Sequence, residues 1–252
     1  MKIRVYKTEL KEILPFRTLF LQENNFQIRY NACHERNWSD SYLITFDDRE
    51  IGYGSVKGIE ELKDRNAIFE FYIIPPFRNI SSLIFLKLIK VSGVDFIESQ
   101  SNDLLLSSML YEFSKNISSD TTLFADHAVT QYVIPGITFR LREKDDNVFG
   151  KKGDEAGDYV LEQNGEIVAT GGFLLHYNIP FADLYMEVKK ECRKNGLGTY
   201  ILQELKKECY LAGRVPAARC STKNTASRAT LIKAGLKIAG AMLAGKIKSD
   251  LQ

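Results

Sequence analysis

The chain has 252 residues, enough for one large or two small domains at roughly 150 residues each. Hydrophobic residues make up 44% and charged residues 26%, the balance of a globular core rather than of a disordered chain. The net charge of +2, from 34 basic against 32 acidic residues, gives no electrostatic case for nucleic acid or an anionic membrane surface as the main partner.

The first residues, Met1 to Glu9, carry a charge every second or third position, so no signal-peptide core is expected there. The apolar run from Ile13 to Leu21 is broken by Pro15, Arg17 and Thr18, and no stretch reaches the roughly 20 apolar residues of a membrane helix. Cys33, Cys192, Cys209 and Cys220 form no CxxC pair, so no metal site is expected. Reduced thiols in a cytoplasmic protein are the expectation. The pairs Lys189-Lys190 and Lys206-Lys207 read as solvated faces.

In chain order, Ser41 to Phe46 and Ile51 to Val56 read as strands joined by the turn Asp47 to Glu50. Ala67 to Ile74 is β-rich and stops at Pro75-Pro76. Ser82 to Val91 has helical spacing, Asp95 to Ser99 is a short strand, and Asn102-Asp103 caps a helix running to Phe113. Ile137 to Leu141 reads as the first strand of the C-terminal domain and Glu143 to Gly157 as a polar loop, and a second passage runs from Asp158 to about Lys248. Tyr159 to Gln163 and Glu166 to Leu175 form a hairpin about Asn164-Gly165, a tight turn that needs positive φ at both residues. Gly171-Gly172 inside the return strand marks a bulge or close backbone approach. Phe181 to Val188 is the next strand. A glycine loop leads into a helix from Gly196 to Ala212, with a stripe at Leu197, Ile201, Leu205, Cys209 and Ala212. Ala217 to Ser221 is a strand, Asn224 caps a helix to Ala234, and Ile238 to Ile247 is the last strand.

Both passages repeat the order strand, strand, strand, helix, strand, helix. Two related domains in tandem follow, 1–125 and 126–252, with the join between Asp120 and Pro135. The expected fold class is α+β, each domain a twisted, mostly antiparallel mixed sheet flanked by helices.

The chemistry centres on Val188 to Thr199. A strand ends at Val188, and a basic turn opens a helix whose start holds Gly196 and Gly198. First-turn N–H groups have no intrahelical acceptor and carry the positive end of the helix dipole. Bare glycine backbone lets a pyrophosphate approach them, and Arg193 and Lys194 add charge. A P-loop and a Rossmann fingerprint are both absent.

This order resembles the GCN5-related N-acetyltransferase (GNAT) superfamily. The matching residues are the strand-end Val188, then Arg193, Gly196 and Gly198 as [R/Q]xxGx[G/A], then Asn224, Ser227, Gly235 and Leu236. The resemblance covers about Asp158 to Ile247. It implies a sheet that splays beside its fourth strand and holds acetyl-CoA as cosubstrate. Backbone at Met186, Glu187 and Val188 would hold the pantetheine arm. Amides of Arg193, Lys194, Asn195, Gly196, Leu197, Gly198 and Thr199 would bind pyrophosphate, with Asn224 and Ser227 on the far side. The other substrate would be a primary amine of a small molecule or peptide.

Acetyl transfer needs a base for the amine and a proton for the leaving thiolate. Strand alternation puts Asp183, Tyr185 and Glu187 on one face, and Glu187 beside the expected thioester is the candidate base. The Tyr that many GNAT enzymes use as acid is replaced by Leu231, which leaves Tyr185, Tyr200 or solvent. Cys192 has no nearby His to activate it, and His127 and His176 read as isolated structural residues.

In the first half, Ile74 to Leu83 holds the loop position. It keeps Arg78 but has Ser81 and Leu83 where the second half has glycines. This half reads as a degenerate GNAT-like domain without CoA binding that walls the acceptor site of the second. The alternative is a non-catalytic acyl-CoA-binding or regulatory protein, favoured by Leu231. An aminoacyl-tRNA donor is disfavoured by the near-neutral charge.

Overall fold

Alternating apolar residues and two-residue turns build most of the sheet structure. The computed structural model describes residues 2–251 except 25, 29, 62 and 151–155. Packing divides the chain into two units, Met1–Asp120 with Gly240–Gln252, and Thr121–Ala239.

The first unit contains β1 (Ile3–Thr8), α1 (Leu10–Glu23), α2 (Tyr30–Glu35), β2 (Ser39–Phe46), β3 (Arg49–Lys57) and β4 (Ala67–Ile73). A 3-10 turn (Pro75–Ile80) leads to α3 (Ser81–Ser92), then β5 (Phe96–Gln100) and α4 (Leu104–Phe113). It also takes residues 114–120 of β6 (Ser114–Asp126) and residues 240–247 of β12 (Leu236–Ile247). Its strand order is β1-β2-β3-β4-β5-β12-β6. Neighbouring strands with a determined register run antiparallel, except that β4 and β5 are parallel through Ala67↔Phe96 and Ile68↔Ile97. On one face α3 and α4 bury Phe85, Leu88, Leu106 and Leu110 against Phe71, Ile73 and Ile97. On the other, α1 buries Ile13 and Phe20 against Leu43, Tyr53 and Tyr72.

That second face holds an ion network. Arg17 of α1 binds Glu70 of β4 through Nε and Nη2 at 3.1 Å. His34 Nε2 lies 3.0 Å from Glu70, and the Tyr53 hydroxyl donates to it at 2.9 Å. Glu70 is fully buried. Burial alone would raise its pKa, but Arg17 and then His34 outweigh burial and bring the carboxyl down to about 2.

The second unit contains β7 (Ile137–Leu141), β8 (Tyr159–Gln163), β9 (Glu166–Leu174), β10 (Phe181–Val188), a 3-10 turn (Lys190–Cys192), α5 (Leu197–Leu211), β11 (Val215–Ser221) and α6 (Thr225–Lys233). Residues 121–126 of β6 and 236–239 of β12 complete it. Its strand order is β12-β6-β11-β10-β9-β8-β7, and β10 and β11 are its parallel pair. Asn164 at φ 51° and Gly165 at φ 80° make the expected tight turn. The α5 stripe of Leu197, Ile201, Leu205 and Cys209 packs on Leu161, Val168, Ala169 and Leu184. Where the first unit has α1 and α2, this unit has the segment between β7 and β8. Its Val148 and Ala156 pack against Val160 and Ile167, and no α-helix occurs there among the described residues.

Several expectations need correction. β1, α1, α2 and β6 were not foreseen from the sequence, and the expected strand bounds shift by one or two residues. Lys206 is not a solvated side chain. It is 2% exposed, pairs with Asp126 at 2.8 Å and donates to the carbonyls of Ala128 and Ala234 at the end of α6. Lys207 is half exposed and pairs with Glu204. No helix among the described residues is long and apolar enough to cross a membrane.

Candidate active site

β10 and β11 pair only over Phe181↔Val215, Ala182↔Pro216 and Asp183↔Ala217. Beyond Asp183 each strand keeps its outer neighbour, β9 or β6, and the two separate. A cleft of about 510 Å³ stands at the separated end. It is lined by the end of β10, the loop into α5 and one face of α6.

The loop geometry explains its residue types. Gly196 has φ 81°, a left-handed conformation that a side chain would strain, and it caps α5 without a side-chain acceptor. The first-turn amides of Leu197, Gly198 and Thr199 therefore have no intrahelical partner. A Cβ on Gly198 would stand 3.1 Å from Thr230 Cγ2 and 3.2 Å from Met186 Cε, so glycine permits close approach of α5, α6 and β10. Arg193 donates from Nε to the Val188 carbonyl at 3.1 Å, which ties the loop to the strand end. Its two terminal nitrogens make no hydrogen bond or ion pair among the described residues. Asn224 accepts from the Ser227 N–H at 3.0 Å and caps α6.

Of the residues singled out from the sequence, Met186, Glu187, Val188, Arg193, Lys194, Gly196, Leu197, Gly198, Thr199, Asn224 and Ser227 line this cleft. Asn195 and Tyr185 do not. Met186 and Val188 pack toward the core under α5, whereas Tyr185 projects from the other face of β10. There its ring lies across β9, with the hydroxyl 2.7 Å from where a Cβ on Gly172 would be. Gly171 is equally constrained: a Cβ would meet the Tyr185 carbonyl at 2.6 Å. The close approach expected at Gly171-Gly172 is therefore present. Burial, then the nearby Asp158, raises the Tyr185 pKa above the usual tyrosine value.

Leu231 is buried in the core and offers no acid to the cleft. Sequence reasoning missed Cys192, Ala226, Ala229, Thr230 and Lys233, which also line it. Ala226, Ala229 and Lys233 stand three and seven residues apart on α6, a helical spacing that would have revealed the shared face. It also missed that His176 is not isolated, since its Nε2 lies 3.0 Å from Asp183 Oδ2. Among the described residues no group of three or more His, Cys, Asp or Glu could hold a metal ion.

Family models fit this arrangement twice. Residues 124–235 match the acetyltransferase (GNAT) family, and residues 9–127 match an acetyltransferase (GNAT) domain. The chain belongs to the GNAT acetyltransferase family, in a tandem arrangement. The fold is similar to that of a GNAT-family acetyltransferase from Colwellia psychrerythraea, with a TM-score of 0.74 at 15% identity over 98% of this chain and 100% of that one. It is also similar to a tandem GNAT protein from the clavulanic acid biosynthesis pathway, with a TM-score of 0.60 at 10% identity over 97% and 98% of the two chains. A GCN5-related N-acetyltransferase from Sphaerobacter thermophilus gives a TM-score of 0.52 at 13% identity over 82% and 81%. These likenesses concern the fold. A search of curated proteins returns no match. Membership in GNAT makes acyl transfer the class of chemistry.

Proposed function

We propose that the second unit, which holds most of the expected domain 126–252, binds acetyl-CoA in the cleft at the β10–β11 separation and transfers its acetyl group directly to a primary amine. The observation that carries this reading is the cradle itself. Uncapped first-turn amides at Leu197 to Thr199, glycine at 196 and 198, and an Arg193 fork with open terminal nitrogens converge on one cleft. Each favours a bound pyrophosphate. Lys194 and Lys233 add positive charge at the rim.

Acetyl-CoA supplies an acyl group already activated as a thioester. The chain's own residues then position and move protons. Backbone at Met186 to Val188 orients the acyl arm, because β10 has lost its neighbour there and its edge is open. Glu187 takes the proton of the attacking amine, directly or through water. Tyr185, whose phenol carries its proton at neutral pH, or solvent returns a proton to the sulfur. Positioning contributes much of the rate in such a reaction. The expected domain 1–125, most of which falls in the first unit, is read as a degenerate domain without CoA binding. A non-catalytic acyl-CoA-binding protein is the second reading, favoured by Leu231 at the usual acid position.

Calorimetric titration of acetyl-CoA into the protein and a Gly198→Leu variant tests the cleft. Leu at 198 imports the side chain that the first unit carries at 83. Binding should weaken by about 100-fold, since the phosphate loses its approach to the backbone. Unchanged binding with an unchanged melting temperature would reject the cleft. Binding without turnover across an amine panel would favour the second reading.

A further inference from the structure

The face of β10 that carries Tyr185 and Glu187 holds a second group of charged side chains, outside the 510 Å³ cleft. Ala218 and Cys220 point into the core under α5 and α6, so Arg219 between them points to the same side as Asp183, Tyr185 and Glu187. Arg219 stands two residues past Ala217, the last β11 partner of β10, at the mouth of the separation.

Asp183 is almost fully buried there. Its Oδ2 is held by His176 at 3.0 Å, and Arg219 Nε reaches the same oxygen only at 3.7 Å, longer than a hydrogen bond. The Arg219 side chain is 34% exposed and makes no hydrogen bond among the described residues. His176 thus satisfies the oxygen that would otherwise close on Arg219. The guanidinium stands beside the Asp183 carboxylate without a hydrogen bond among the described residues, and its planar fork suits a carboxylate.

We infer that Arg219 reads a carboxylate on the amine acceptor, so the acceptor class is an amine with an anionic group some distance from its nitrogen. This rests on the acyl-transfer reading of the same unit. In the parallel register Arg219 stands level with Tyr185, but its Nε reaches back to 3.7 Å from Asp183 Oδ2. At about 3.3 Å per residue, Asp183 lies about 7 Å from Tyr185 along β10, so a carboxylate at the guanidinium and an amine near Tyr185 are joined by a flexible chain of about five methylenes. Asp183 and His176 act as positioning residues for Arg219.

The test is equilibrium binding, which is independent of turnover. 6-Aminohexanoate and hexylamine are titrated in the presence of CoA into wild-type protein, Arg219→Gln and Arg219→Lys. The wild type should bind 6-aminohexanoate about tenfold tighter than hexylamine, the ratio expected for one charge-assisted pair. Arg219→Gln should remove that ratio while leaving hexylamine and CoA binding unchanged, and Arg219→Lys should retain part of it. Equal affinities in the wild type, no binding of either probe, or a ratio that survives Arg219→Gln would each overturn the inference. Loss of the acyl-transfer reading shows elsewhere, as absent turnover with the binding ratio intact.

Discussion

The two units place the same device at the same point of the chain path and finish it differently. In each, an arginine five residues past the last residue of the inner strand donates from Nε to that residue's carbonyl: Arg78 to Ile73 at 2.8 Å, Arg193 to Val188 at 3.1 Å. In each, an Asx residue caps the following helix by accepting from the N–H three residues on: Asp103 from Leu106, Asn224 from Ser227. The cleft beside Arg193 is about 510 Å³, and the one beside Arg78 is about 100 Å³. Three differences in residues accompany this contrast. Ser81 and Leu83 stand where the second unit has glycines. Phe20, Glu23 and Asn24 at the end of α1 line the small cleft, and among the described residues the second unit has no α-helix between β7 and β8. Glu23 grips the Arg78 fork at 2.5 and 2.7 Å, and Asp103 replaces a neutral cap with a carboxyl. On the proposed reading of the second unit's cleft, the shared backbone frame is completed by bare amides and by an Arg193 fork with no carboxylate on it.

The largest expected effect tests what holds the second unit's cleft. Lys206 on α5 ties the carbonyls at the end of α6 to Asp126, and its counterpart on α3, Val91, is half exposed. Lys206→Val leaves a partly buried carboxylate and helix-end carbonyls without their cation, a loss of about 2–3 kcal/mol. Hydrogen exchange of the α6 amides in urea measures it. A loss under about 1 kcal/mol would show that the clamp is dispensable.

Lys206 also marks the limit of what the sequence discloses. Adjacent lysines on an amphipathic helix look alike, and only the path of the chain through Asp126 and Ala128 separates them. The same limit hid α1. Its buried residues Ile13, Arg17 and Phe20 have helical spacing, but a charge in the stripe and Pro15 within the helix mask it. Arg17 belongs inside only because Glu70, 53 residues away, neutralises it. β6 was hidden by its run from Lys115 to Thr121, polar except for Ile117. Local chemistry was legible where it is local: the turn at Asn164-Gly165, the cap at Asn224, and the glycines at 196 and 198. The pairing of His176 with Asp183 depends on how the chain returns into β10, which residue spacing does not encode.

A smaller effect is expected where the caps differ. Burial pushes the Asp103 pKa up from 3.8 to about 7. The folded protein therefore holds this proton more tightly than the unfolded chain. Its stabilising contribution is complete below about pH 4 and is lost as pH rises to about 7. Asp103→Asn keeps a good cap and matches Asn224. It should remove that slope and stabilise the first unit by about 1–2 kcal/mol at pH 8. Urea midpoints at pH 5 and pH 8 decide it. An unchanged difference between the two midpoints would mean that Asp103 is ionised in the folded protein without cost.

The smallest effect isolates the carboxylate that holds Arg78. The hydrogen bonds from Arg78 hold the Glu23 carboxyl below its usual pKa, but both side chains are about one-third exposed, so solvent screens the pair. Glu23→Gln should cost only about 0.5 kcal/mol. Freeing Arg78 removes one of the three differences and leaves an arginine fork open to an anion. Ser81 and Leu83 still stand in place of the glycines, and Phe20 and Asn24 at the end of α1 still line the cleft. Calorimetry on Glu23→Gln should therefore give the same number of acetyl-CoA molecules per chain as the wild type. One additional molecule bound would show that the internal carboxylate, and not the lost glycines, is what closes the first unit.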